Sequence, residues 1–166
     1  MLRRNNKIMK CLFTCFKDPN NSSHILLDNL NFENKIYLKN DFVLSCEQME
    51  EALKKENFDY IFMFGKKPII KNKLSIEKFA KKVDILESNL NVKELSAYLK
   101  NNGIGNYTSK NAGTSFCNNV YYFTLNYIKN NNLKTKAVFV HLPYIENFDN
   151  LQDVAHAFNN INGNEF

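Results

Sequence analysis

Three short runs, "MKCLFTCF" (residues 9–16), "DYIFMFG" (59–65) and "KAVFVHLP" (136–143), constrain this chain most. Each is apolar and rich in β-prone residues, and each is too short for a buried helix. Proline stops the last of them. Amphipathic stretches lie between and around them. "HILLDNL" (24–30), "CEQMEEALKKEN" (46–57), "VKELSAYLKNNG" (92–103), "SFCNNVYYFTLNYIKNNN" (115–132) and "NLQDVAHAF" (150–158) all read as helices. Ser45 is the expected cap of the second, with Gln48 completing a capping box and Glu50–Lys54 as an i,i+4 pair. Gly103 marks the end of the third. "KIYLKNDFVL" (35–44) suggests one or two strands, and "LSIEKFA" (74–80) alternates like a strand, with a helix start as the alternative. Strands alternating with helices predict a three-layer α/β/α sandwich with a mostly parallel, twisted central sheet. At 166 residues and 44% hydrophobic the chain supports one such domain. It is read as residues 9–166, with residues 1–8 as an N-terminal extension.

The charge argues against some classes of partner. The net charge is +5, and its densest run, Lys66 to Lys82, holds seven lysines interrupted by apolar residues. That pattern reads as a solvated rim, with a site for an acidic partner as the alternative, and a nucleic-acid partner is not expected. No apolar run approaches the ~20 residues that span a bilayer, so no membrane partner is expected either. Cys11, Cys15, Cys46 and Cys117 have no metal-ligand spacing, and a metal site is not expected. Free thiols suggest a reducing, cytoplasmic setting.

In sheets of this kind, sites collect at strand ends and adjoining helix N-termini. Cys117 follows a small-residue turn, "SKNAGTS", at the start of the longest helix. A helix N-terminus supplies N–H groups and partial positive charge that favour a thiolate. His141 ends an apolar strand, where a polar ring needs a partner. On the residues alone, Cys117 is either a small buried apolar group or a nucleophile. His141 is either a satisfied core histidine or a base, and Glu77 is either a solvated carboxylate or the group that orients a base. His24 and His156 are the other histidines.

The segment "SKNAGTSFCNNVYY" followed by "FVHLPYI" resembles the pyroglutamyl-peptidase I family of cysteine peptidases. Ser109, Ala112, Gly113, Cys117 and Asn118 match its S-x-x-A-G-x-x-x-C-N segment. Phe139, His141, Pro143 and Tyr144 match its F-x-H-x-P-Y segment. "LSIEKFA" resembles I-S-x-E-R-x-A, with the glutamate at Glu77, and "MKCLFTCF" resembles the opening strand. Met9 sits where family members begin. The resemblance covers residues 9 to 160 and implies catalytic Cys117, His141 and Glu77, no cofactor, a peptide with a blocked N-terminal pyroglutamyl residue as substrate, and a homo-oligomer. Tyr121 and Tyr122 are candidates for an interface or for the core.

The chain also departs from the family pattern. "TCFKDPNN" keeps the first pocket aromatic as Phe16 but has Pro19 at the second. Only Gly65 survives from a glycine-rich stretch at "MFGKKPIIKN". A block is missing after "VDI" (83–85), which implies a more open site. Phe16 and Phe116 are the expected pocket residues. The alternatives are a homologue that binds without catalysis, and a hydrolase for a different amide.

Overall fold

The computed structural model describes residues 8–69, 71–162 and 166. Most of the proposed N-terminal extension, residues 1–7, lies outside them. In chain order the elements are β1 (Cys11–Phe16), α1 (Ser22–Asp28), β2 (Lys35–Leu38), α2 (Leu44–Lys55), β3 (Tyr60–Lys66), β4 (Lys73–Glu77), β5 (Phe79–Lys81), β6 (Ile85–Glu87), α3 (Val92–Asn101), β7 (Gly105–Ser109), α4 (Phe116–Asn130), β8 (Lys136–Leu142) and α5 (Leu151–Asn159). A short 3-10 turn, Ile145–Asn147, joins β8 to α5.

Six strands form one sheet in the order β2-β1-β3-β8-β4-β7. All neighbours are parallel except β8 and β4. Helices cover both faces, which is the expected three-layer sandwich. The three apolar runs that dominate the sequence become β1, β3 and β8, adjacent at the centre of the sheet. Strands buried on both faces need no polar alternation.

Side-chain alternation sorts each strand between two cores. One core, under α1, α3 and α5, holds Phe13 of β1, Phe62 and Phe64 of β3, Leu74 and Ile76 of β4, and Val138, Val140 and Leu142 of β8. Cys11 and Cys15 lie on this face together, as their spacing implies. The other core, under α2 and α4, holds Leu12, Ile61, Met63, Ala137 and Phe139.

Several local expectations are corrected. Ser45 does not cap α2, because the helix already begins at Leu44. The Asp41 carboxylate instead accepts from the N–H groups of Val43 and Leu44, each at 2.8 Å. Gln48 forms no capping box. Its side chain accepts from the Lys39 N–H and donates to the Tyr37 carbonyl, tying α2 to β2. The Glu50–Lys54 pair is present at 2.7 Å. The stretch 35–44 supplies one strand only. "LSIEKFA" divides between β4 and β5, and β5 pairs with β6 in a small antiparallel hairpin. That hairpin lies where the missing block is inferred. α3 ends as expected, with Gly103 at φ +76°. Tyr121 is fully buried, and its hydroxyl donates to the Glu77 carbonyl at 2.9 Å, so it belongs to the core.

Candidate active site

The alternation that builds the α4-side core puts polar residues where it runs out, at the strand ends. On β8, Ala137 and Phe139 face α4, so His141 does too. In the β4–β8 register Ser75 lies opposite His141, and Glu77 opposite Phe139. In the β3–β8 register Gly65 lies opposite His141. Directly paired residues present their side chains to the same face. Ser75, Glu77, Gly65 and His141 therefore form one surface beneath the start of α4.

The turn before α4 brings Cys117 over that surface. Ser109 Oγ accepts from the Asn111 N–H, and Asn111 Oδ1 accepts from the Gly113 N–H. Gly113 has φ +85°, a conformation that favours glycine. α4 then starts at Phe116 without a side-chain cap on its first N–H groups. Asn118, the next residue of the motif, binds the backbone of Lys81 with both ends of its amide and so anchors α4 to β5. The Cys117 sulfur settles against Gly65: a Cβ built there would lie 2.7 Å from Sγ and 3.0 Å from the Phe139 ring. The missing side chain at Gly65 thus lets the thiol stand over the strand position beside His141.

His141 Nδ1 lies 2.8 Å from Glu77 Oε1, with His141 2% exposed and Glu77 fully buried. Burial pushes the Glu77 pKa up, but the hydrogen bond and charge of His141 and the hydrogen bond from Lys67 outweigh it, and it ends below the ordinary carboxylate value. An ionised carboxylate only accepts, so Nδ1 carries the proton and Nε2 is left as the acceptor of the neutral ring. Burial lowers the His141 pKa, against the opposing bond and charge of Glu77. Burial also pushes the Cys117 thiol up to about 11, although the Ser115 hydroxyl and its own N–H pull the other way. The helix start therefore does not yield a resting thiolate. Both shifts favour the uncharged pair, a thiol beside a neutral imidazole.

The predicted aromatic pair is also in place. Phe16 ends β1 and lies 5.9 Å, ring to ring, from Phe116. Phe42, absent from the sequence-based expectation, also packs on Phe116, at 4.6 Å ring to ring. Asn119 of α4 holds it by donating to the Phe42 carbonyl at 2.9 Å. The Phe42 ring is 49% exposed, whereas Cys117 is 9% exposed. The thiol itself is thus more enclosed than the inferred missing block implies.

Lys67 was also missed. It belongs to the lysine run read as a solvated rim, yet its ammonium contacts Glu77 Oε1 at 2.5 Å. No motif or spacing distinguishes it from its neighbours. His24 and His156 lie elsewhere: His24 accepts from the Asp18 N–H, and His156 is exposed near the end of α5. Among the described residues, no group of three or more His, Cys, Asp or Glu is placed to hold a metal. No helix among them is long and apolar enough to cross a membrane.

Comparison with known proteins places the chain in a family. The family model described as pyroglutamyl peptidase matches residues 85–155, a span that includes Cys117 and His141. The chain is 30% identical over 171 residues to pyrrolidone-carboxylate peptidase 2 of Caldanaerobacter subterraneus subsp. tengcongensis, covering 82% of each chain. It is 43% identical over 58 residues to the pyrrolidone-carboxylate peptidase of Brachyspira hyodysenteriae, covering 35% of this chain and 29% of that one. Its fold superimposes on the crystal structure of pyroglutamyl peptidase I from Bacillus amyloliquefaciens with a TM-score of 0.82 at 20% identity, covering 91% of this chain and 93% of the other. The chain belongs to the pyroglutamyl peptidase family.

Proposed function

We propose that the protein is a cysteine peptidase that removes an N-terminal pyroglutamyl residue from peptides. The observation that carries this reading is the convergence of Cys117, His141 and Glu77 on one face. The imidazole is held by the carboxylate at 2.8 Å, and the thiol seats on the glycine beside it. Cys117 Sγ attacks the carbonyl carbon of the pyroglutamyl–peptide bond and passes its proton to His141 Nε2. N–H groups at the start of α4 steady the oxyanion. As the C–N bond breaks, His141 returns the proton to the leaving amine, and a thioester on Cys117 remains. Water, deprotonated by His141, attacks the thioester and releases pyroglutamate and the free thiol. Glu77 holds the ring in the Nδ1–H tautomer and offsets its transient positive charge.

The flat lactam ring lies against Phe16 and Phe116, and Phe42 supplies the second aromatic wall that Pro19 does not. No metal or redox cofactor enters this scheme. The family also leads us to expect a homo-oligomer. Purified protein and Cys117→Ser, assayed with a fluorogenic pyroglutamyl amide, test the reading. Turnover that disappears in the variant supports it. A wild-type protein that leaves the amide intact overturns pyroglutamyl specificity. If its Cys117 also alkylates no faster than an ordinary buried thiol, a binding role replaces the hydrolytic one.

A further inference from the structure

Glu77 has an unusual division of partners. Oε1 receives the imidazole Nδ1 at 2.8 Å, the Lys67 ammonium at 2.5 Å and the Ser75 hydroxyl at 2.9 Å. Oε2 is equally enclosed and, among the described residues, has no hydrogen-bond partner. The Glu77 side chain has no exposure and that of Lys67 has 23%, so a surface lysine reaches inward to a buried carboxylate. Its backbone is fixed for this. The Lys67 N–H donates to the Leu142 carbonyl at 3.1 Å, one residue beyond His141, and Pro68 follows. Lys66 turns the other way, towards Asp18 at 3.9 Å and over the Tyr144 ring.

The charge balance explains why this matters. A buried carboxylate demands a counter-charge. Were the imidazole its only neighbour, that demand would favour imidazolium at rest, and imidazolium cannot accept a thiol proton. With Lys67 present, the carboxylate and ammonium cancel and the imidazole is free to stay neutral. The charged and titratable groups facing the ring are Glu77 from β4, Lys67 from the end of β3 and, from α4 on the same face, Cys117. Burial lowers the His141 pKa, the bond and charge of Glu77 raise it, and the charge of Lys67 lowers it.

We propose that Lys67 is a positioning residue of this site, whose ammonium neutralises Glu77, fixes the carboxylate on the Nδ1 side of His141 and so holds the imidazole as an uncharged base. The proposal rests on reading Cys117, His141 and Glu77 as the hydrolytic unit. Lys67 touches neither substrate nor thiol and acts through Glu77.

The test compares the full chain with Lys67→Met and Lys67→Arg. One readout is NMR titration of the His141 imidazole, and the other is the pH profile of kcat/KM on a pyroglutamyl amide. In Lys67→Met the imidazole titrates at higher pH. The acid limb of kcat/KM moves to higher pH with it, and activity just below neutrality falls on the order of tenfold, the factor that one unit of displacement carries. Lys67→Arg restores both. Should Lys67→Met fail to fold, Lys67→Gln drops the charge, keeps a hydrogen-bond donor and is expected to show the same displacements. A merely structural lysine would lower the melting temperature and leave both titrations in place, and that result overturns the proposal. The two readouts also separate the two claims. A displaced imidazole titration in a protein that turns over no pyroglutamyl amide upholds the role of Lys67 and defeats the peptidase reading. Turnover with an unmoved titration and acid limb does the reverse.

Discussion

The two faces of the sheet are built from the same strands but serve different ends. The face under α1, α3 and α5 is apolar across the central strands, with Phe13, Phe62, Phe64 and Phe158 packed in stacked and edge-on pairs. The face under α4 is apolar only as far as Phe139. Beyond it come Gly65, Ser75, Glu77 and His141, and the Cys117 thiol above them. Burying polar groups there costs stability, which the hydrogen bonds converging on Glu77 Oε1 offset only in part, since Oε2 stays unpartnered among the described residues. The first face holds the fold together, and the second gives up part of that stability to carry the proposed site.

Substitutions should separate the two faces. Cys117→Ala is expected to abolish turnover while changing the unfolding free energy by about 1 kcal/mol or less. Activity and urea denaturation on the same sample check both halves. Phe62→Ala does the opposite. Its ring lies 5.3 Å from Phe13 and 5.6 Å from Phe158, and truncation is expected to cost about 3–5 kcal/mol. Titrated active sites should still show wild-type kcat/KM. Loss of catalysis in the folded fraction would mean that the faces are not independent.

Alkaline pH probes both faces at once. Burial, with the negative charge of Asp59 adding for Cys11 and of Asp28 for Cys15, pushes these thiols from 9.0 up to about 12, and burial pushes Cys117 up to about 11. The folded state keeps protons that the unfolded chain releases above pH 9. The unfolded state then binds fewer protons, so stability falls as pH rises from about 9 towards 11 and beyond. Denaturation midpoints measured across that range should decline steadily, and Cys11→Ala should flatten the decline. The smallest expected effect is at the edge of the α4 face. Phe42→Ala removes a half-exposed ring from Phe116 and should weaken substrate capture by about 0.5–1.5 kcal/mol. That appears as a several-fold higher KM with little change in kcat.

The contrast between the faces also explains what the sequence discloses. The central strands were legible because double burial leaves an uninterrupted apolar run in β1, β3 and β8. Of the proposed site residues, His141 lies near the end of one such run, whereas Cys117 at the start of α4 and Glu77 at the end of β4 stand out in the sequence only through their motifs. β7 was not legible, because "GNYTS" is an edge strand with exposed Tyr107 and Thr108 and carries no apolar pattern. The β5–β6 hairpin has strands of three residues, too short for any period to show. Asp41 outcompeted Ser45 as a cap because the backbone enters the helical region at Val43, which places the carboxylate at the free N–H groups. Lys67 and Phe42 were hidden for a common reason. A lysine among lysines and a phenylalanine in a loop have ordinary local surroundings, and their partners are 10 and 74 positions away in the chain.

On the proposed reading, Cys117 carries the acyl group while His141 and Glu77 move and steady its proton. The most direct test of that reading is to quench the protein in acid during turnover of a pyroglutamyl amide and map the adduct by mass spectrometry. The account predicts a pyroglutamyl thioester on the peptide containing Cys117, accumulating further in His141→Ala if that variant acylates at all, and absent in Cys117→Ala. Turnover with no adduct on Cys117, or with undiminished activity in Cys117→Ala, would contradict it.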